Sequence, residues 1–344
     1  MLASLAVPIV GAPLGGGAST PELAAAVSDA GGLGFLASSY QTPDAMVEQI
    51  AATRALTRRP FGVNVFAFAP TEASAEALEA FRCRVSGHGA APGEPRTDDD
   101  FFAGKVERLL ADPVPVVSFT FGCPSQGLVE RFRAAGTAVW VTVTDADEAR
   151  QAAAAGADAV IAQGVEAGGH RGAFTDEAPG DYGVLALLQL VRAAVELPVV
   201  ASGGIATGAG LAAVLAAGAG AAQIGTAFMR CPEAGTPEAH RAALAGRGRT
   251  VLTRAFTGRT ARGIANTFAL EHSGDAPPAY PAVHHITAPI RAHGRATGDA
   301  ELINLWAGQA HELVRDVPAA RLVRELHEEA RLAARELSRR LDAG

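Results

Sequence analysis

A few segments hold residues whose types and spacing could do chemistry. One reads Gln163-Gly164-Val165-Glu166-Ala167-Gly168-Gly169-His170-Arg171-Gly172, an imidazole set between glycines and beside an arginine. Imidazole titrates near neutral pH, so His170 suits hydrogen bonding to an anion or taking a proton from a weak acid. Gln163 offers an amide that both donates and accepts, which fits the edge of a heteroaromatic ring. Glu166 could equally be a solvated loop acid, and Arg171 either faces a phosphate or braces its loop. Two further segments are Ser202-Gly203-Gly204-Ile205-Ala206-Thr207-Gly208 and Gln223-Ile224-Gly225-Thr226. Adjacent glycines let backbone N–H groups approach an anion, and the Thr226 hydroxyl adds a donor, so the pair reads as a phosphate nest. Either loop alone could be only a tight turn. Gly11-Ala12-Pro13-Leu14-Gly15-Gly16-Gly17 presents bare backbone to a flat ring, and Asn64, polar in an apolar run, needs a partner. His284 and His285 lack acid or cysteine neighbours at metal spacing, which favours packing or pocket lining; no metal is expected.

Such residues need a scaffold that gathers them. Short β-branched runs alternate with Ala-rich helical stretches at residues 8–10, 33–36, 62–66, 116–121, 138–143, 159–163, 199–202 and 221–225. Repeated βα units of this kind predict an α/β fold, a (β/α)8 TIM barrel, whose active site lies in the loops at the strands' carboxyl ends. The segments above fall at those ends. Thr20-Pro21-Glu22 and Thr42-Pro43-Asp44 read as capped helix starts, and Asp145 as the cap of a helix over 147–155. Residues 86–100 read as a surface loop decorating the third unit. The expected organisation is a barrel over 1–231, a smaller, mostly helical substrate-side subdomain inserted over 232–293 after strand eight, and C-terminal helices over 294–344. In the last of these, Leu322, Val323, Leu326 and Ala330 share a helical face that would return to the barrel.

Composition narrows the partners. In 344 residues, 49% are hydrophobic and 19% charged, enough apolar content for a large core and against general disorder. The formal charge of -7 and the absence of a basic run exclude nucleic acid and anionic membranes as partners. Gly, Pro or a charge interrupts every apolar stretch before bilayer length, and the opening lacks a basic leader, so a cytoplasmic protein is expected. The three cysteines, Cys83, Cys123 and Cys231, are far apart and read as free thiols. A homodimer is compatible with all of this.

These motifs resemble those of the nitronate monooxygenase (2-nitropropane dioxygenase) family. The blocks that carry the likeness are TPELAAAVSDAGGLG, DEARQAAAAGADAVIAQGVEAGGHRGAF, PVVASGGIATGAG and AAQIGTAFM, with TGRTARGIANTF and NLWAGQ later in the chain. The resemblance implies FMN at the top of the barrel, in contact with Asn64, Gln163, Gly168, Gly203, Gly204, Gln223, Ile224, Gly225 and Thr226. It also implies His170 as the catalytic residue. The implied reaction oxidises an alkyl nitronate such as propionate 3-nitronate by O2 to a carbonyl product and nitrite. Two positions depart from the family's opening: Gly11 stands for a glutamine and Leu14 for a methionine. An NAD(P)H-dependent FMN reductase acting on a quinone or enoyl thioester shares a similar GGH segment and stays as the alternative. A non-catalytic flavin- or phosphate-binding barrel is the alternative of another class, and His170 at the mouth argues against it.

Overall fold

The computed structural model describes residues 2–176 and 180–342. The strands are β1 (Ile9–Gly11), β2 (Gly34–Ala37), β3 (Phe61–Phe66), β4 (Val116–Thr120), β5 (Ala138–Val143), β6 (Ala159–Gln163), β7 (Gly169–His170), β8 (Val199–Ser202), β9 (Ala221–Ile224), β10 (Thr250–Thr253) and β11 (Ala261–Ile264). An eight-stranded parallel sheet runs β1-β9-β8-β6-β5-β4-β3-β2. A bridge between Val10 and Leu33, with the Gly11 N–H donating to the Leu33 carbonyl at 2.9 Å, closes it into a barrel. Each predicted strand lies within one residue of its observed span. The helix starts hold too: the Leu23 N–H donates to Thr20 Oγ1 at 3.0 Å and the Glu148 N–H to Asp145 Oδ1 at 2.8 Å.

Alternation along the strands builds the barrel's layers. Val63, Val65, Val117 and Val139 face outward beneath the helices. Inward, Val10, Phe35, Val116, Trp140, Ile161 and Val200 fill the floor, with the Phe35 and Trp140 rings 5.8 Å apart. Further along the strands, the inward positions turn polar and face a cavity: Asn64, Thr120, Thr142, Gln163, Ser202 and Gln223. The sequence therefore sets a polar tier on an apolar floor.

The helix Ala319–Asp342 packs against the helices Gly208–Ala216 and Pro21–Asp29, taking the place of the barrel's eighth helix. Leu322, Val323 and Leu326 are buried there with Val27, Leu211 and Ile224, each side chain worth roughly 1.5–3 kcal/mol of burial. The stretch before it, within the 294–344 tail expected to be helical, is irregular after Thr297, with short 3-10 turns. Residues 304–310 there turn into the barrel mouth, which a regular helix could not do.

After β9, two antiparallel strands lie beside the helices Glu238–Leu244, Thr267–His272 and Ala282–Thr297. β11 also pairs with β7, placing Ala261 opposite His170. The loop over 86–100 is not mere decoration. The Gly93 N–H donates to the Ile286 carbonyl at 2.8 Å, and Asp98 pairs with His285 at 2.7 Å, fastening this loop to the helix Ala282–Thr297. No helix among the described residues is long and apolar enough to cross a membrane.

Candidate active site

At the carboxyl ends of the barrel strands lies a cavity of about 440 Å³. Its lining includes Asn64, Gln163, Gly168, His170 and Ser202, together with Gly203, Gly204, Gln223, Gly225 and Thr226. Ile224 does not line it. Strand alternation turns Ile224 away from its inward neighbour Gln223, and its side chain is buried among the surrounding helices. Only its backbone is near the site, where its carbonyl accepts the Ala12 N–H at 2.8 Å.

One side of the cavity is built from backbone. Gly203 has φ 114°, and a Cβ there would stand 3.1 Å from the Gly164 carbonyl oxygen and the Ala167 nitrogen. None of the described backbone hydrogen bonds uses the N–H of Gly203, Gly204 or Gly225. Gln223 is 7% exposed, and its Oε1 is buried with no partner among the described residues. An orphaned amide beside free N–H groups is a cradle for a polar ligand. Thr226 Oγ1 accepts the Gly308 N–H at 3.0 Å. Gly168 is crowded from the same segment: a Cβ would lie 2.5 Å from the Ala307 carbonyl carbon and the Gly308 nitrogen.

Asn64 Nδ2 donates to Ser118 Oγ at 2.9 Å, Thr120 Oγ1 at 3.0 Å and the Ser118 carbonyl at 3.2 Å. Its amide oxygen has no described partner and is free to accept from a ring N–H. Gln163 is committed differently. Nε2 donates to the His170 carbonyl at 3.1 Å, while Oε1 accepts the Gly172 N–H at 2.8 Å and Arg171 Nη1 at 3.2 Å. Gln163 therefore braces the His170 loop. Arg171 does the same, donating to the Gln163 carbonyl at 2.7 Å and the Gly180 carbonyl at 2.6 Å; it is a brace and not a cavity-facing cation. Glu166 accepts the Val184 N–H at 3.0 Å on each oxygen, capping the helix Val184–Ala194.

His170 Nε2 lies 2.9 Å from Thr257 Oγ1, across 87 residues of chain. Thr257 Oγ1 is also 3.2 Å from the Arg259 carbonyl. The hydroxyl proton can go to either acceptor. If it goes to Arg259, Nε2 carries the imidazole proton and Nδ1 is a bare acceptor; if it goes to Nε2, Nδ1 becomes a donor. Burial, aided by the charges of Arg259 and Arg291, pushes the His170 pKa down to about 3, so the ring is neutral at physiological pH. Phe121, Tyr280 and Trp306 surround it at centroid distances of 5.6, 5.8 and 5.5 Å.

Tyr40, His284, Arg291 and Trp306 line the same cavity and were not foreseen as site residues, although pocket lining was one reading of His284. Tyr280 O–H donates to Tyr40 Oη at 3.1 Å, which leaves the Tyr40 proton for a ligand. Burial raises the Tyr40 phenol to about 12, keeping it protonated. Tyr40 holds φ 62°, a strained value for a non-glycine. Its N–H donates to Asp100 Oδ1 at 2.9 Å, and Asp100 pairs with buried Lys105 at 2.7 Å. Tyr40 lies three residues past the carboxyl end of β2, and that position in a barrel was the signal available. Of the two departures in the opening segment, Leu14 lines the cavity. Gly11 does not, and a Cβ there would face Val27 at 3.5 Å on the helix side.

A family profile described as nitronate monooxygenase matches residues 1–329. A nitronate monooxygenase of Pseudomonas aeruginosa is 41% identical over 94% of this chain and 96% of its own length. The chain belongs to the nitronate monooxygenase family. Nitronate monooxygenase of Paraburkholderia phytofirmans is similar at 40% identity over 96% of this chain and 94% of its own. A solved nitroalkane oxidase from Streptomyces ansochromogenes matches with a TM-score of 0.94 and 51% identity, covering 97% of this chain and 99% of that one. FabK from Thermotoga maritima shares the fold at TM-score 0.78 and 28% identity, over 98% of this chain and 96% of that one. As a member of the nitronate monooxygenase family, the protein is a flavin-dependent oxidoreductase whose chemistry is the oxidation of nitronates.

Proposed function

We propose that the protein oxidises alkyl nitronates of the propionate 3-nitronate kind with dioxygen, through FMN, to a carbonyl product and nitrite. The observation that carries this reading is the neutral His170 imidazole, held by Thr257 inside an aromatic cage at the mouth of a cavity with a separate anion cradle. The free N–H groups of Gly203, Gly204 and Gly225 suit a phosphate, and the acceptor oxygens Gln223 Oε1 and Asn64 Oδ1 suit N–H or hydroxyl donors of the flavin. Gly168 and Thr226 complete that wall. FMN in this position supplies the oxidation of the substrate and the transfer of electrons to oxygen.

The remaining work belongs to side chains. With its proton on Nδ1, His170 donates to a nitronate oxygen, and Tyr40 Oη offers a second donor. With Nδ1 bare, the imidazole can accept the α-proton of a neutral nitroalkane. A pKa near 3 makes it a weak base for that step, so the site favours preformed nitronates over the neutral compounds. Phe121, Tyr280 and Trp306 keep water from the ring and strengthen these hydrogen bonds.

The test is oxygen uptake and nitrite release with propionate 3-nitronate in the absence of reduced nicotinamide. Coupled consumption and release supports the reading. Inertness toward nitronates, with turnover of a quinone or enoyl thioester by NADH or NADPH, transfers the site to the reductase reading.

A further inference from the structure

Arg291 is a buried cation without a counter-charge. It lies on the helix Ala282–Thr297, is 6% exposed and lines the cavity. Its Nε donates to Thr287 Oγ1 at 3.1 Å, and Nη2 donates to the His284 carbonyl at 2.9 Å and meets His284 Nδ1 at 3.1 Å. Nη1 has no partner among the described residues, and no described carboxylate pairs with the guanidinium. One turn further along the helix, Arg295 lines the cavity rim, also without a described counter-charge. Burial lowers the Arg291 pKa only to about 10, so it stays charged at neutral pH. Burying an unpaired cation is costly, and a protein with a formal charge of -7 has acids to spare elsewhere.

A continuous wall joins this cation to the reacting end. The His170 and Tyr280 rings are 5.8 Å apart, Tyr280 O–H donates to Tyr40 Oη, Tyr40 stacks on His284 at 4.1 Å, and His284 meets Arg291. A guanidinium with a free N–H edge in a cavity matches a carboxylate, because the pair forms charge-assisted hydrogen bonds with the cost of burial already met by the fold. We propose that Arg291, supported by Arg295 at the rim, binds a carboxylate at the end of the substrate remote from its nitronate, making the enzyme selective for nitronates of nitro acids over simple alkyl nitronates. This rests on the nitronate reading for its reacting end, but the carboxylate site stands on its own geometry.

The experiment uses FMN-loaded protein and compares kcat/KM for propionate 3-nitronate and for propyl nitronate, which lacks the carboxylate. Succinate, an unreactive dianion of similar shape, serves as a binding probe read through flavin absorbance. The wild type should prefer the carboxylated substrate at least tenfold. Arg291→Gln should reduce that preference about tenfold or more, mainly through KM, and weaken succinate in parallel; Arg291→Lys should restore part of both. Arg295→Gln, at the exposed rim, should give a smaller loss of the same kind and serves if Arg291→Gln does not hold flavin. An unchanged preference in Arg291→Gln, or equal losses on both substrates, overturns the proposal; the second result would place the nitronate itself on Arg291. If the wild type turns over neither nitronate, the nitronate reading fails. Succinate then decides alone: Arg291-dependent binding keeps the carboxylate site, and no binding removes it.

Discussion

The two ends of the cavity are built on different plans. The cradle at Gly203, Gly204, Gln223 and Gly225 comes from the ends of neighbouring strands β8 and β9 and works mostly through backbone. The wall around His170 is made of side chains brought from distant segments: Tyr40 after β2, Phe121 after β4, Thr257 before β11, Tyr280 and Arg291 near and on the helix Ala282–Thr297, and Trp306 beyond it. A backbone cradle needs little more than strand geometry and glycine. A side-chain wall can be re-lined residue by residue without disturbing the barrel. If the cradle holds the cofactor and the wall chooses the substrate, as proposed, the two tasks are separable and substitutions should divide along that boundary.

The largest effect is expected at the cradle. Gly203→Asp puts a Cβ against the Gly164 carbonyl and the Ala167 nitrogen, at a φ few side chains adopt, and adds a charge where an anion should sit. The purified variant should be folded by circular dichroism yet colourless; stoichiometric FMN retained in it would break the division. His170→Asn should do the reverse, keeping flavin while losing ~10²-fold or more in turnover of a neutral nitroalkane and less with preformed nitronate. Equal small losses on both would reduce His170 to packing. Thr257→Val removes the hydroxyl that sets the imidazole tautomer and should cost roughly tenfold in kcat/KM, about one hydrogen bond's worth, with unchanged flavin content. Thr257→Ser should recover most of it; a serine variant as poor as valine would show that the methyl matters, not the hydroxyl.

A smaller effect should appear in stability. The fold holds His170 near 3 and His240 near 4, and His284 well below its ordinary value, all through burial. Between about pH 6.5 and 4 the unfolded chain binds protons at these positions and the native state does not, so stability falls as pH falls, by at most about 1.4 kcal/mol per pH unit for each histidine. Asp100, raised to about 6, and Glu148, also raised by burial, act in the opposite sense over the lower part of that window. Melting temperature should decline from pH 7 toward pH 5, because three histidines outweigh the two opposing acids. A rise over that interval would mean the imidazoles are charged in the native state.

Legibility in the sequence followed the same boundary. Period-two runs and capped helix starts were enough for the barrel, because strand alternation and an N-cap are local. The glycine loops were legible for the same reason, and alternation turns the Ile224 side chain outward, leaving only its backbone near the site. The wall was less legible. His170 could be singled out as an imidazole at a strand end, but nothing near it in the chain pointed to Thr257, which meets it through tertiary packing, or to Arg291 further along the same wall. At Gln163 and Arg171 the sequence leaves the role open, because a polar side chain at a strand end looks the same whether it faces a ligand or braces a loop; the bonds to His170, Gly172 and Gly180 show the bracing. The 304–310 segment was hidden within a stretch that reads as helix.

The central claim is that the wall serves a nitronate and not a reduced nicotinamide. Anaerobic mixing of the FMN-loaded protein with propionate 3-nitronate, and separately with NADH and NADPH, tests it through the flavin absorbance. A rapid spectral change is expected with the nitronate, followed by recovery of the oxidised spectrum and nitrite release when oxygen is admitted, with little change from either nicotinamide on the same timescale. Fast bleaching by NADH or NADPH, with a spectrum indifferent to the nitronate, would contradict it.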